Sequence, residues 1–244
     1  MNETVQAIAL GSVRYGDSSL IVVCYTKQFG LQSYILRGML SAKGKKKLSK
    51  SFFEPLTLLE FVAKKNRENK LGYLKEVNLL HPYTSIPFDL RKKAVVFFLA
   101  EVIHQVLKEE QQGSNPNLFN YIKNQLLWLD EHYEIGLFHL KIMLDLTKFM
   151  GFYPNISKKD APYFDLESGC MSFSKPKVHY IQGTLKVHWI NVLGMNFEEI
   201  SKVKILKEEK TALLENAIIY FKLHLQQFKP PKSTEILNEL FKIS

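Results

Sequence analysis

Over the first third of the chain, apolar and β-branched residues gather in short segments separated by turn residues. Residues 5–10, 20–26, 32–37, 56–63 and 73–80 each have the length and composition of a strand. The second, Leu20-Ile21-Val22-Val23-Cys24-Tyr25-Thr26, is apolar at successive positions, so both of its faces are expected to be covered. Tyr15-Gly16-Asp17-Ser18-Ser19 separates the first two segments. Glycine there reaches positive φ freely, and Asp and Ser bond nearby backbone. Phe29-Gly30 precedes the third segment. Five short strands with no normal-length amphipathic helix between them predict a small antiparallel barrel.

The period then changes. Val95, Phe98, Leu99, Val102 and Val106 recur at helical spacing over 90–108, with Pro87 and Asp89 near the start. Leu118, Ile122, Leu126 and Leu129 predict a second helix, preceded by Asn115-Pro116-Asn117. A third runs from about Leu137 through Met143, Leu146, Phe149 and Met150, with Gly151 as its stop. Leu214, Ile218, Phe221, Leu225 and Phe228 mark a long helix ended by Pro230-Pro231, and Ser233 is placed to cap a last short one through Phe241. These stripes read as core rather than as a cofactor box. Residues 152–185 fit neither period, being punctuated by Pro154, Pro162, Gly169, Pro176 and Gly183. Within them, Tyr163-Phe164-Asp165-Leu166 and Cys170-Met171-Ser172-Phe173 predict a small hairpin. The expected fold is α+β: a five-stranded barrel over 1–80, a helical domain over 81–244, and an irregular insert at 152–185.

Charge sharpens this division. The net charge of +9 is uneven, because residues 1–80 hold thirteen Lys/Arg against six Asp/Glu and the remainder twenty against eighteen. The positive excess therefore belongs to the strand-rich third, which favours nucleic acid or an anionic surface as partner. Five lysines (Lys43, Lys45, Lys46, Lys47 and Lys50) crowd one connection between strands. A cluster of ammonium groups projected from a rigid sheet suits a polyanion backbone, although a lysine run alone also describes a solvated loop.

Two cysteines, Cys24 and Cys170, are too few for a disulfide scaffold and fit a reduced, cytoplasmic protein. The N-terminus lacks the basic and apolar regions of a signal peptide, and no apolar run approaches the roughly 20 residues of a membrane span. Nor does the chain contain a phosphate-binding Gly-x-x-x-x-Gly-Lys-Ser/Thr loop, a His-Glu-x-x-His pair or a recognisable nucleophile motif. The expectation is a protein that binds rather than catalyses, with no cofactor.

The order of several short motifs resembles the RecO family of bacterial recombination mediators. They are Ala7-Ile8-Ala9-Leu10, then Tyr15-Gly16-Asp17-Ser18-Ser19-Leu20-Ile21-Val22, Thr26 and Gly30, and Leu36-Arg37-Gly38 just before the basic loop. Phe53-Glu54-Pro55-Leu56, Leu79-Leu80, Gly151-Phe152-Tyr153-Pro154 and Lys232-Ser233 follow in sequence. The resemblance implies an OB-fold barrel, a helical domain and an embedded zinc-finger-like insert. It also implies binding of single- and double-stranded DNA, annealing of complementary strands, and loading of RecA onto DNA coated by single-stranded-DNA-binding protein. RecR and the acidic tail of that coating protein are the partners it implies. The insert departs from the family pattern: in place of two Cys-x-x-Cys pairs it has Cys170 alone, with His179 nearby and His188 beyond. Four closely paired ligands are what structural zinc needs, so the insert is expected to be metal-free, with Tyr163, Phe164, Leu166, Phe173 and Tyr180 forming an apolar cluster instead.

An OB barrel tracks phosphates with cations and stacks bases on aromatic rings. The candidate DNA-binding residues are Arg14, Arg37, Lys43, Lys45, Lys46, Lys47, Lys50, Lys64, Lys65, Arg67 and Lys70. Arg37 stands out because a strand end fixes its planar fork; an ion pair with Glu54 or Glu60 is its other reading. Glu68 interrupts 64–70, which also reads as an ordinary hairpin tip. Tyr15, Phe52 and Tyr73 are the base-stacking candidates, while Tyr34 fits core better than platform. Arg91, Lys92, Lys141 and Lys148, on otherwise apolar helices, are the candidates for a rim that meets an acidic tail. The same charge would serve a different class of protein, an adaptor that binds acidic partner tails without handling DNA.

Overall fold

The alternation over the first eighty residues is realised as a sheet that closes on itself. In this computed structural model, which describes residues 3–37, 50–65, 70–110 and 113–243, β1 spans Glu3–Tyr15, β2 Ser19–Thr26, β3 Gly30–Leu36, β4 Leu58–Ala63, β5 Gly72–Tyr73 and β6 Lys75–Leu79. The order is β5-β3-β2-β1-β4-β6. Because Leu74 alone separates β5 from β6, one broken strand joins the two ends of the sheet and makes the expected five-stranded barrel. β5 pairs in parallel with β3, while β6 pairs antiparallel with β4.

β1 is longer than its apolar pattern predicted, since it serves two neighbours. Residues 3–8 pair with β4, residues 7–15 pair with β2, and a register shift between Ala9 and Gly11 lets the strand bend from one to the other. Inside lie Val5, Ala7, Ala9, Leu20, Val22, Cys24, Tyr34, Leu36, Phe53, Leu59 and Phe61. These are alternate residues along each strand, as a barrel interior requires. The burial that builds this core pushes the Cys24 thiol up to about 12, so it stays a thiol.

Among the helices, α1 is Leu90–Glu110, α2 Pro116–Glu131, α3 Phe138–Met150, α4 Gly183–Gly194, α5 Phe197–Ser201, α6 Lys207–His224 and α7 Thr234–Ile243. Gly151 ends α3 in the left-handed conformation at φ 80, as expected. The helix expected to run through Phe228 stops earlier. Leu225 leaves α6 with an extended backbone, and the segment to Pro231 is held instead by side chains of α1. Ser233 does not cap α7 through its hydroxyl, which is buried without a hydrogen-bond partner. A carboxylate oxygen of Glu101 accepts the Ser233 N–H instead. The expected hairpin is present as β7 Tyr163–Asp165 and β8 Cys170–Ser172, and β9 Tyr180–Gln182 adds a third strand on the far side of β7.

The chain forms two compact units, neither contiguous. One consists of Met1–Asp89 and Gln111–Glu131, the other of Leu90–Glu110 and His132–Ser244. In the first, α2 lies on the outside of the barrel, where Tyr25 meets Phe119 with ring centroids 5.8 Å apart and its hydroxyl donates to the Asn115 carbonyl at 3.0 Å. Gly30, at φ 71, is close enough to the lead into α2 that a Cβ there would lie 2.6 Å from the Gly113 carbonyl oxygen. Only glycine fits. In the second unit, α3 is buried almost all round and packs against α1, α4, α5 and α6.

Candidate nucleic-acid interface

Strand pairing sorts the barrel's outward residues into rows. Tyr73 of β5 lies opposite Ile35 of β3, Ile35 opposite Ile21 of β2, and Ile21 opposite Val13 of β1. Partners in a row share a face, and this row alternates with the core residues Leu20, Val22, Tyr34 and Leu36, so it points outward. At the other end of the same face, Tyr25 is covered by α2. The two-sided apolar character of β2 thus has two causes: one half is covered by α2, while the other belongs to a stripe exposed at its ends, Tyr73 and Val13, with Ile21 half-buried and Ile35 buried between them. Val13 is 68% exposed and Tyr73 56%. Tyr15, two residues beyond Val13 and so on the same face, is also 56% exposed.

Cations border this stripe. Arg37 follows β3 directly, is exposed, and sets its guanidinium carbon 5.4 Å from the centroid of the Tyr73 ring. Among the described residues it pairs with neither Glu54 nor Glu60. Arg14 is exposed at the end of β1, where it donates to the carbonyls of Gly16 and Asp17, both at 3.3 Å, and is thereby folded over the β1–β2 turn. Lys64 and Lys65, just past β4, and Lys70, just before β5, are exposed, as is Lys50. Lys43, Lys45, Lys46, Lys47 and Arg67 lie outside the described residues.

The aromatic candidates divide. Tyr15 and Tyr73 present their rings to solvent. Phe52 sits in a short 3-10 turn, Lys50–Phe53, and packs partly against the barrel interior, because Phe53 beside it is fully inside. A turn rather than a strand carries this pair, so neither ring stands free. Tyr34 is wholly inside, edge-on to Phe61 at 5.3 Å, and burial first and Cys24 second raise its hydroxyl pKa. Val13, Ile21 and Ile35 escaped the sequence reading as site residues. The signal was available: a strand apolar on both faces next to exposed cations.

The helical candidates are placed less favourably for an acidic tail. Lys92 is 2% exposed and Lys141 5%, which does not fit a role at a solvent-facing rim. Lys141 donates to Asp145 at 3.0 Å and to the Leu193 carbonyl at 3.3 Å inside its unit. Lys148 is exposed but shares the same carboxylate, at 2.8 Å, and lies over the Tyr153 ring at 4.7 Å. Burial works against its charge, but the Asp145 hydrogen bond and carboxylate charge outweigh burial, and the net pKa is raised. Arg91 lies 4.9 Å over the exposed ring of Tyr133. Among the described residues, no group of three or more His, Cys, Asp or Glu side chains is arranged to hold a metal, and no helix is long and apolar enough to cross a membrane. Beyond the insert, His188 Nε2 on α4 lies 3.4 Å from Glu209.

Comparison with known proteins identifies the family. Residues 1–83 match the family model "Recombination protein O N terminal" and residues 87–235 match "Recombination protein O C terminal". The chain is 35% identical over 245 residues to a DNA repair protein RecO of Flavobacterium psychrophilum, covering 99% of this chain and all of that protein. It is likewise 35% identical, over 246 residues, to a RecO of Flavobacterium johnsoniae, and 33% identical over 246 residues to one of Bacteroides fragilis, with the same coverage in both cases. With both halves matched in order and near-complete coverage on each side, the chain belongs to the RecO family of DNA repair proteins.

Proposed function

We propose that the barrel binds DNA across its outer face, through the exposed ends of this row, and that the chain uses this binding, without catalysis, to anneal complementary strands in the cytoplasm. The observation that carries the reading is the pairing of Arg37 with Tyr73 at one end of the Val13–Ile21–Ile35 row. A guanidinium beside an exposed ring offers a phosphate contact and a base-stacking surface within one nucleotide's reach. Across the face, about 14 Å away at the usual strand spacing, Tyr15 offers a second exposed ring and Arg14 a cation held over the β1–β2 turn. Lys50, Lys64, Lys65 and Lys70, together with the sequence-assigned Lys43, Lys45, Lys46, Lys47 and Arg67, extend the field for the phosphate backbone. Annealing needs only that two strands be held with their mutual repulsion lowered. The same reading extends to loading of RecA with RecR on DNA coated by single-stranded-DNA-binding protein, whose acidic tail would meet the helical unit. Arg91 over Tyr133 is the cation best placed there.

The test is a fluorescence-anisotropy titration of a labelled oligothymidine across salt concentrations. Arg37→Ala with Tyr73→Ala should weaken binding by about tenfold or more, since one stacked base alone is worth roughly 1–3 kcal/mol. The log–log salt slope should fall by up to about 0.7 for the lost phosphate contact. Unchanged affinity, with binding of acidic peptides retained, would support the adaptor instead.

A further inference from the structure

The insert carries a second face with the same two ingredients. Its sheet buries Phe164, Met171 and Ile181, which lie opposite one another in the order β8-β7-β9. The residues that alternate with them, Tyr163 on β7 and Tyr180 on β9, therefore point the other way, with their rings edge-on at 5.6 Å. Phe173, directly after β8, is 66% exposed. Lys175 sets its ammonium 5.4 Å from the Tyr180 ring centroid. Lys177 is exposed beside it. The loop that presents these groups is pinned at both ends: the Ser172 hydroxyl donates to the Ser174 carbonyl at 2.6 Å, and the Leu166 N–H to the His179 carbonyl at 2.8 Å.

Charge chooses the occupant. No Asp or Glu occurs between Glu167 and Glu198, while Lys175, Lys177 and Lys186 fall in that stretch. The one carboxylate on the outward face, Asp165, is committed to its own turn, accepting from the Glu167 N–H at 3.0 Å and the Ser168 hydroxyl at 2.9 Å. Cations alone would suit any polyanion. Three aromatic side chains among them favour one with planar rings to stack.

We infer that the outer face of the β8-β7-β9 sheet is a second contact for single-stranded nucleic acid, with Phe173, Tyr163 and Tyr180 meeting bases and Lys175 and Lys177 meeting phosphates. The inference does not rest on the barrel contact. It gives one molecule two places to hold a strand.

The experiment uses the full chain and an oligothymidine bearing photoreactive 5-iodouracil, with hexaglutamate as a competing probe. Lys175→Glu with Lys177→Glu exchanges two exposed side chains and leaves the core untouched. It should weaken oligonucleotide binding roughly tenfold and flatten the salt slope by up to about 0.7 per lost contact. Irradiation should attach the oligonucleotide to Phe173, Tyr163 or Tyr180, in the unaltered protein and in Arg37→Ala alike, and Phe173→Ala should reduce that yield. Unchanged affinity and slope, with no adduct on the insert, would overturn the inference. So would loss of hexaglutamate binding with oligonucleotide binding intact, which would make this a docking face for acidic peptides. Failure of the barrel reading would show differently, as normal affinity in the Arg37 and Tyr73 variants.

Discussion

Asp130, near the end of α2, keeps a buried carboxylate by collecting donors. The N–H groups of Thr84, Ser85 and Ile86 reach it at 2.8, 2.9 and 2.9 Å, and the Thr84 hydroxyl at 3.0 Å. Burial by itself would raise its pKa, but these hydrogen bonds outweigh burial and hold it below the ordinary carboxylate value. The stability it supplies is thus present above the unfolded value, near 3.9, and is lost as pH falls through the lower folded value. Asp130→Ala should cost about 3 kcal/mol in urea unfolding at neutral pH, because it strands several donors. His139 acts in the opposite range. Burial first, and Lys210 second, push its pKa down from 6.5 to about 3, so it is neutral when folded and takes up a proton when unfolded. Its contribution is complete above about pH 6.5 and fades as pH falls toward 3, by up to about 1.4 kcal/mol per unit. His139→Leu should flatten stability against pH between those limits. The slope is the readout, since the ring's edge-on packing against Phe98 is lost as well.

At the scale of elements, three residues one turn apart on α1 fasten a stretch with no secondary structure of its own. Glu101 accepts from the N–H groups of Lys232 and Ser233, Gln105 from that of Lys229, and Glu109 from those of Gln226 and Gln227. Glu101→Ala with Glu109→Ala should raise amide exchange over 226–233 and into α7 while leaving the barrel's exchange unchanged. In the insert, Phe164 packs against Trp189 and Tyr220, and Phe152 against Tyr220 and Phe221. Of the five residues expected to cluster there, Phe164 and Leu166 are buried, while Phe173 is exposed and Tyr163 and Tyr180 pair on the outer face of the sheet. Protein purified without chelator should hold well below one zinc per chain, and chelation should leave its melting temperature unchanged. Periodicity made the strands, α1, α2 and α3 legible in the sequence, because each buries one continuous face. It left α4, α5 and β9 unread, since α5 runs only over Phe197–Ser201 and β9 only over Tyr180–Gln182, too short to show a period. The burial of Lys141 was legible but misplaced. Between Phe138 and Thr147 its one acidic companion is Asp145, four residues on, and that spacing in an apolar helix marks an internal ion pair. Lys92 carried no such signal.

For the whole molecule, the uneven charge predicts that the proposed affinity for DNA is a function of salt before it is a function of sequence. Replacing Lys43, Lys45, Lys46 and Lys47 with alanine should weaken binding equally on oligonucleotides of different sequence. The salt slope should drop by up to about 0.7 for each single-strand phosphate contact removed. A sequence-dependent loss would point to base readout instead. The interleaving of the two units has a different consequence, one for how the chain is made. The helix that covers Tyr25 and receives Gly30 is not encoded next to the barrel; α1, which belongs to the other unit, comes between. On the ribosome, β1 to β6 emerge long before Phe119 does, and Tyr25 must wait uncovered until residues of the second unit have already left the exit tunnel. Synthesis therefore cannot finish one unit before starting the next. A nascent chain stalled so that residue 89 has left the tunnel but α2 has not should present a barrel that proteases attack readily, and one stalled far enough beyond residue 131 to free α2 should present a resistant one.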